Sequence, residues 1–167
     1  IDIFFDEDQG FFKFSSNQST LFSENLFVLE DGVIPSSNSV MANNLFLLSH
    51  YTGNRDYLKI GKKMVDSIIG KAVNDPLDYM NWLNVSTDYS KNFYEIVVVG
   101  KNAFQISKDL TSRYLPNTLV AASKTDAEDY LIKNRYIKGD TLIYVCVNNS
   151  CKFPVETVDE ALKLILN

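Results

Sequence analysis

Histidine, cysteine and basic charge are scarce in this sequence, and each scarcity closes off a class of chemistry. His50 is the one histidine, and Cys146 and Cys151 are the two cysteines. A single imidazole with no thiol near it does not make a zinc site, and no Ser–His–acid set can be assembled by spacing. We therefore expect no metal and no cofactor. Two cysteines do not form the framework of a secreted disulfide scaffold, so a reducing, cytoplasmic setting is the default expectation. The seven glycines include no G-x-G-x-x-G, which leaves Gly100 as a lone glycine rather than a nucleotide loop. Sixteen Lys and Arg are spread along the chain against 21 Asp and Glu, for a net charge of −5. Without a basic stripe the chain suits neither nucleic acid nor an anionic membrane. No run of about eighteen apolar residues exists, so no segment reads as a transmembrane helix. The chain opens at Ile1 in mid-pattern, without Met, leader or transit signal, and is expected to be part of something longer.

What is present is ordinary globular material. Hydrophobic residues make up 46% of 167, enough for one domain or two small ones with a real core. The first segment, IDIFFDEDQGFFKF, places aromatics around the acidic turn Asp6-Glu7-Asp8-Gln9-Gly10. Phe12 and Phe14 alternate with Lys13, the period of a half-buried strand. The polar loop SSNQST, Leu21-Phe22 and the run from Asn25 to Leu29 extend this into an irregular hairpin. The acidic turn lacks calcium-loop spacing and reads as a solvated turn.

Residues 31–54, DGVIPSSNSVMANNLFLLSHYTGN, are the stretch around which the rest is organised. Pro35 precedes Ser36, Ser37 and Asn38, all able to cap a helix start. At 100° per residue, Val40, Met41, Ala42, Leu45, Phe46, Leu47, Leu48 and Tyr51 cover most of the following helix. A narrow stripe of Ser39, Asn43 and His50 is left polar, and such a helix is expected to be buried. Gly53 closes it. A second, amphipathic helix follows over 57–72, and Asp75-Pro76 is expected to cap and start a third that ends near Ser90.

At Phe93 the pattern changes. Residues 95–100, EIVVVG, form a short β-branched run suited to a strand covered on both faces. A helix over 103–114, a strand over 118–122, a helix over 126–134, strands over 141–147 and 151–155, and a helix opened by Thr157 complete the chain. The fold class is mixed α/β, and the order β-α-β-α-β-β-α is that of a thioredoxin-like fold. Its Cys-x-x-Cys is absent, since Gly100-Lys101-Asn102-Ala103 stands where it would lie.

The stretch Asp31-Gly32-Val33-Ile34-Pro35-Ser36-Ser37-Asn38-Ser39 resembles the DGxxPSGNS signature of one large family. Asp8-Gln9-Gly10-Phe11-Phe12 resembles its D..GGF, and Thr52-Gly53 its interhelical turn. Residues 95–100 resemble its EVVIVG, and Leu115-Pro116-Asn117 its FLPN. Tyr144-Val145-Cys146, Cys151 and Pro154-Val155 resemble its YVC…C..PV. These are the thioredoxin-domain-containing proteins with a toroid of α-hairpins similar to sugar 2-epimerases, the family of the spermatogenesis-associated thioredoxin-like protein. The resemblance implies the C-terminal portion of such a protein. Residues 1–92 would be a β-hairpin and three helices of the toroid, and 93–167 a small α/β domain. Its implied partners are the missing N-terminal segments of the parent, including the thioredoxin domain, and a carbohydrate-like small molecule.

Two sites can be read from these residues. In an α-hairpin toroid, Asp31 would be a general acid or base, with Ser36, Ser37 and Asn38 binding the ligand. A glycosidase would need a second carboxylate that nothing in the sequence identifies, and the competing reading is a turn with a capped helix. The second site is Cys146 with Cys151. A two-residue turn at Asn148-Asn149 sets the cysteines opposite each other, either as reduced thiols filling apolar space or as a reducible pair. Reduced thiols are the preferred expectation.

Overall fold

A computed structural model describes residues 1–16, 26–148 and 150–166. The expected loop over 17–20, Leu21-Phe22, Asn25, and Asn149 of the hairpin turn lie outside the described residues. The chain forms two compact units, Ile1–His50 with Asn54–Ser90, and Tyr51–Gly53 with Lys91–Asn167. Among the described residues no helix is long and apolar enough to cross a membrane.

In the first unit the aromatic hairpin is reduced to two-residue strands, β1 (Phe5–Asp6) and β2 (Phe11–Phe12), paired antiparallel. The Asp6 carboxylate makes the turn: Oδ1 accepts from the amides of Asp8 and Gln9, and Oδ2 meets Lys13 Nζ at 3.0 Å. The Gln9 amide and then Lys13 hold this carboxyl below its ordinary value. The expected strand over 25–29 is extended backbone without sheet pairing at its described residues, Leu26 to Leu29.

Helices α1 (Ser37–Thr52), α2 (Arg55–Asn74) and α3 (Met80–Ser90) follow. Asn54 caps α2 by accepting from the Asp56 amide, and Gly53 before it takes φ 70°. The expected helix start at Asp75-Pro76 is a turn instead: Asp75 terminates α2, and α3 begins at Met80. The Asn81 amide in its first turn donates to the carboxylate of Asp31. One core joins Phe5, Phe11 and Phe12 to Ala42, Leu45, Met64, Val65, Ile68, Tyr79, Trp82 and Val85. Trp82 is fully buried, edge-on to Phe11 with ring centroids 6.1 Å apart.

The helical wheel drawn for α1 is overturned in one respect. Ser39, placed on the polar stripe, is fully buried, whereas Val40, Leu48 and Tyr51 are exposed. The wheel counted methyl groups and gave no weight to partners. Ser39 has three hydrogen-bonding neighbours to satisfy its hydroxyl, so its burial carries little penalty.

Gly61 on α2 has no room for a side chain. A Cβ there would lie 1.9 Å from the Tyr89 hydroxyl, which donates to the Ala42 carbonyl at 2.9 Å. One missing methyl thus lets α1, α2 and α3 meet.

The second unit is a four-stranded mixed sheet, β3 (Tyr94–Gly100), β4 (Thr118–Ser123), β5 (Thr141–Val147) and β6 (Ser150–Cys151), in the order β4-β3-β5-β6. β4 runs parallel to β3 through α4 (Ala103–Thr111), and β5 runs antiparallel to β3. Ile96, Val98, Ile143 and Val145 pack with Ala103, Leu110 and Ala161 on the face carrying α4 and α5 (Val158–Leu166). The opposite face carries Glu95, Val97, Val99, Leu142, Tyr144 and Cys146 in register. Thr157 opens α5 as expected, in a reciprocal box: its Oγ1 accepts from the Glu160 amide while Glu160 Oε2 accepts from the Thr157 amide.

Two sequence expectations fail here. Residues 126–134 form turns, not a helix, so the observed order is β-α-β-β-β-α. The Ser123 hydroxyl, which could have capped that helix, donates instead to the Thr125 carbonyl in a local turn. The last strand stops at Cys151 instead of Val155, where a single bridge to Ile143 remains. Pro154 has no N–H to continue the ladder. Gly100 is explained without a phosphate: at φ 132°, a Cβ would lie 2.2 Å from the Asp140 carbonyl oxygen.

Leu45→Ala should cost about 2–5 kcal/mol, the range for a buried leucine, and Leu48→Ala roughly 0.5 kcal/mol or less, as urea melts will show. Gly61→Ala should destabilise by about 1–3 kcal/mol despite the better helix former. In a Tyr89→Phe background the penalty should shrink, because the nearest obstructing atom is gone.

Candidate functional site

The turn singled out in the sequence is held by Asp31. Its Oδ1 accepts from the Ser36 amide at 2.8 Å and lies 3.2 Å from Ser39 Oγ. Its Oδ2 accepts from the Asn81 amide at 2.7 Å, and its own amide donates to the Asp78 carbonyl at 2.7 Å. Asp31 therefore caps α3 from fifty residues away while closing the loop that leads into α1. Around it, Asn81 Nδ2 donates to Ser39 Oγ at 2.8 Å, Trp82 Nε1 donates to the Leu29 carbonyl at 2.8 Å, and the Tyr79 hydroxyl donates to Glu30 at 3.2 Å. Burial and then Glu30 push the Tyr79 phenol above its ordinary value.

Ser36 is 2% exposed and caps α1, its Oγ accepting from the Ser39 amide. Asn38, 1% exposed, works as a strand partner for β2. Its Oδ1 accepts from the Phe12 amide at 2.7 Å, and its Nδ2 reaches the carbonyls of Phe12 and Val28 at 2.9 and 3.1 Å. The amide group is thus fully occupied within the protein. Ser37 is exposed and lines an open groove of about 520 Å³ with Phe14, Val28, Glu30, Val40, Met41 and Asn44. The four residues are therefore brought together: Ser36 and Asn38 are buried, Asp31 is half-buried at the edge of a second recess, and Ser37 faces outward. His50 lies apart from this cluster in α1, its ring 4.7 Å from that of Phe46.

Asp31 itself lines a second recess of about 220 Å³ with Val33, Ile34, Leu77, Met80 and Asn81. Val33, Ile34, Leu77 and Met80 are all exposed. A polar clasp thus carries an apolar rim.

In the second unit Cys146 and Cys151 are direct partners across β5 and β6 and are joined by a disulfide, with alpha carbons 3.9 Å apart. The expectation of two reduced thiols is corrected: register puts the side chains on one face at the closely spaced, non-hydrogen-bonded position, within bonding reach. Asn148 in the turn takes φ 52°, a conformation Asn tolerates. Arg135 lies over the pair, its Nη2 at 3.5 Å from Cys151 Sγ and 3.8 Å from Cys146 Sγ. Sequence reasoning missed Arg135, because nothing in the pattern brings a residue eleven positions upstream onto the sulfurs. It missed Asn81 for the same reason, whereas the polar run Ser36–Ser39 did signal the clasp. Among the described residues no group of three or more His, Cys, Asp or Glu is placed to hold a metal.

No protein-family model matches the chain. Spermatogenesis-associated protein 20 of Homo sapiens is 24% identical over 147 residues, covering 81% of this chain and 19% of the relative. The Mus musculus and Rattus norvegicus proteins of that name are each 23% identical over the same length. The chain is a homologue of spermatogenesis-associated protein 20. That agrees with the family its ordered motifs resemble. The chain spans about a fifth of the length of these relatives, at 19% of each.

Asn38→Ala should lower stability by about 2–5 kcal/mol, since it leaves two or three buried backbone groups without partners. Asp31→Asn should cost about 1–3 kcal/mol, because an amide NH₂ would replace one of the two oxygens that receive N–H donors. Ser37→Ala should stay within roughly 0.5 kcal/mol. Denaturant melts of the three variants test the ranking.

Proposed function

We propose that this chain acts as a non-catalytic docking and scaffolding module of a longer parent protein, its apolar rim receiving another segment of that parent. The observation that carries this reading is the recess beside Asp31, where four exposed apolar side chains from two segments, 33–34 and 77–80, gather. Grouped exposed apolar residues mark interaction surfaces more often than scattered ones do. The engagement of Asp31 supports the same reading. A carboxylate whose two oxygens receive two backbone amides, with a hydroxyl beside one of them, holds the turn and the start of α3 in place. The length of the relatives, of which this chain spans 19%, leaves ample chain for the docking partner. The thioredoxin domain implied by the motif resemblance is one such segment.

A carbohydrate-type ligand cleft is the second reading, favoured by the groove of about 520 Å³ in which Phe14 lies beside Glu30, Ser37 and Asn44. Apolar walls with a few polar groups are what small-molecule sites present.

The two readings separate in one experiment on the intact parent and on this chain co-expressed with the parent's N-terminal remainder. Val33→Asp with Leu77→Asp, which lie on the recess and not on the groove, should abolish co-purification of the two pieces while leaving the urea melt of this chain nearly unchanged. A glycan array should show no binding by the parent. Glycan binding lost in Ser37→Ala, with co-purification unaffected by the aspartates, would establish the cleft and overturn docking.

A further inference from the structure

The second unit holds a group that the docking reading does not use. Arg135 is fixed over the Cys146–Cys151 disulfide from several sides. Its Nη1 donates to the carbonyls of Leu131 and Tyr130, its own carbonyl accepts from the Tyr144 hydroxyl at 2.8 Å, and its guanidinium stands 5.8 Å from the Tyr144 ring centre. Burial raises the Tyr144 phenol above its ordinary value, against the neighbouring Arg135 charge. Neutral disulfide sulfur is a weak acceptor and gains little from a guanidinium. A thiolate gains a great deal, since a nearby Arg is one of the features that lower a thiol's pKa. The arrangement therefore stabilises the reduced, ionised pair more than the closed bond.

Access is equally one-sided. Cys146 is 1% exposed, while Cys151 is exposed on β6, the two-residue edge of the sheet. The surrounding charges are also asymmetric. Glu95 on β3 is the register partner of Cys146, whereas Cys151 sits on the far side of β5 from it, closer to Arg135. Lys152 follows Cys151 in sequence and points to the other face of the hairpin by the alternation of side chains.

We infer that Cys146–Cys151 is a reversible thiol–disulfide exchange site for a low-molecular-weight thiol of the glutathione class, with Arg135 as the positioning residue that stabilises its thiolates. The thiolate of the small molecule attacks Cys151 Sγ, the exposed sulfur. The Cys146–Cys151 bond breaks, and its electron pair leaves on Cys146, beside Arg135, where it takes up a proton. A second small thiolate attacks the sulfur of the bound thiol, forming the small-molecule disulfide and releasing Cys151 as a thiolate. Two electrons pass to the protein with one proton from water, and two small-molecule thiolates are oxidised to one disulfide.

The test uses the full chain, reduced and desalted, with glutathione as the thiol and iodoacetamide alkylation followed across pH by peptide mass. Cys151 should label first, with a midpoint about one pH unit below the ~8.5 of a free cysteine, and Cys146 should stay protected. Arg135→Met should return the midpoint to about 8.5 and slow labelling at pH 7 by about threefold to tenfold, because lost thiolate is partly offset by higher intrinsic nucleophilicity. Arg135→Lys, which keeps the charge, should recover most of the shift. Glutathione at millimolar concentration should open the disulfide in the wild type faster than in Arg135→Met. A wild-type midpoint at or above about 8.5 would overturn the inference even if Arg135→Met failed to fold. Equal midpoints in wild type and a folded Arg135→Met would overturn it too, as would a disulfide that glutathione cannot open.

Discussion

The first unit depends on the Asp31 carboxylate and the Asn38 amide, two polar groups set among apolar ones. Between β2 and α1 the described backbone has no sheet partner, and an unpaired buried backbone group costs about as much as a lost hydrogen bond. Asn38 answers for Phe12 and Val28, Asp31 for Ser36 and Asn81, and Trp82 for Leu29. Each bond contributes only about 0.5–1.5 kcal/mol net, but the alternative is a buried group with no partner at about 1–3 kcal/mol. The asymmetry makes the arrangement specific: a shifted loop would lose several partners together. Among the described residues, this segment is positioned by side chains instead of by secondary structure.

That dependence separates what the sequence displays from what it conceals. Periodicity displays α2, because Met64, Val65 and Ile68 recur on one face and the lysines on another. A continuous β-branched run displays β3, and Thr157 with Glu160 displays the start of α5. These signals are local, set by residues within a turn or two of each other. The burial of Ser39 is not local, since it follows from Asn81, 42 positions onward, and from Asp31. Arg135 over the cysteines is likewise a tertiary placement, reached through turns where periodicity suggested a helix. The motif at 31–39 announced a helix start and a tight turn, but not which distant backbone groups its oxygens would meet.

The same partners bear on how signature motifs of polar residues are read. Asp, Ser and Asn are residues of active sites and equally of caps and turns, since their short side chains reach backbone groups. Here the distinction lies in saturation. Asn38 has its oxygen and both of its amide hydrogens directed at backbone, and Asp31 has donors on both oxygens. Ser37 is turned outward and lines the groove beside them. A ligand in the groove would meet that hydroxyl, the aromatic ring of Phe14 and the apolar side chains around it, whereas Asp31 lines the separate recess on the α3 side.

The two units place their chemistry differently, for a physical reason. In the first, polar groups are buried and matched, and the apolar groups Val33, Ile34, Leu77 and Met80 are left outside. Apolar surface removed from water contributes about 25 cal/mol per Å², so a rim of this kind is stabilised by covering it and gains nothing from remaining bare. In the second, the apolar sheet is covered on the α4 and α5 face, and the group with unused capacity is a cation. The Arg135 guanidinium is oriented by two carbonyls and aimed at sulfurs that, while bonded to each other, carry no charge for it to meet. Opening the disulfide supplies that charge. On the two proposals made above, the rim would be completed by a partner and the cysteine pair by an electron donor, so the two sites would answer to different inputs and need not share one function.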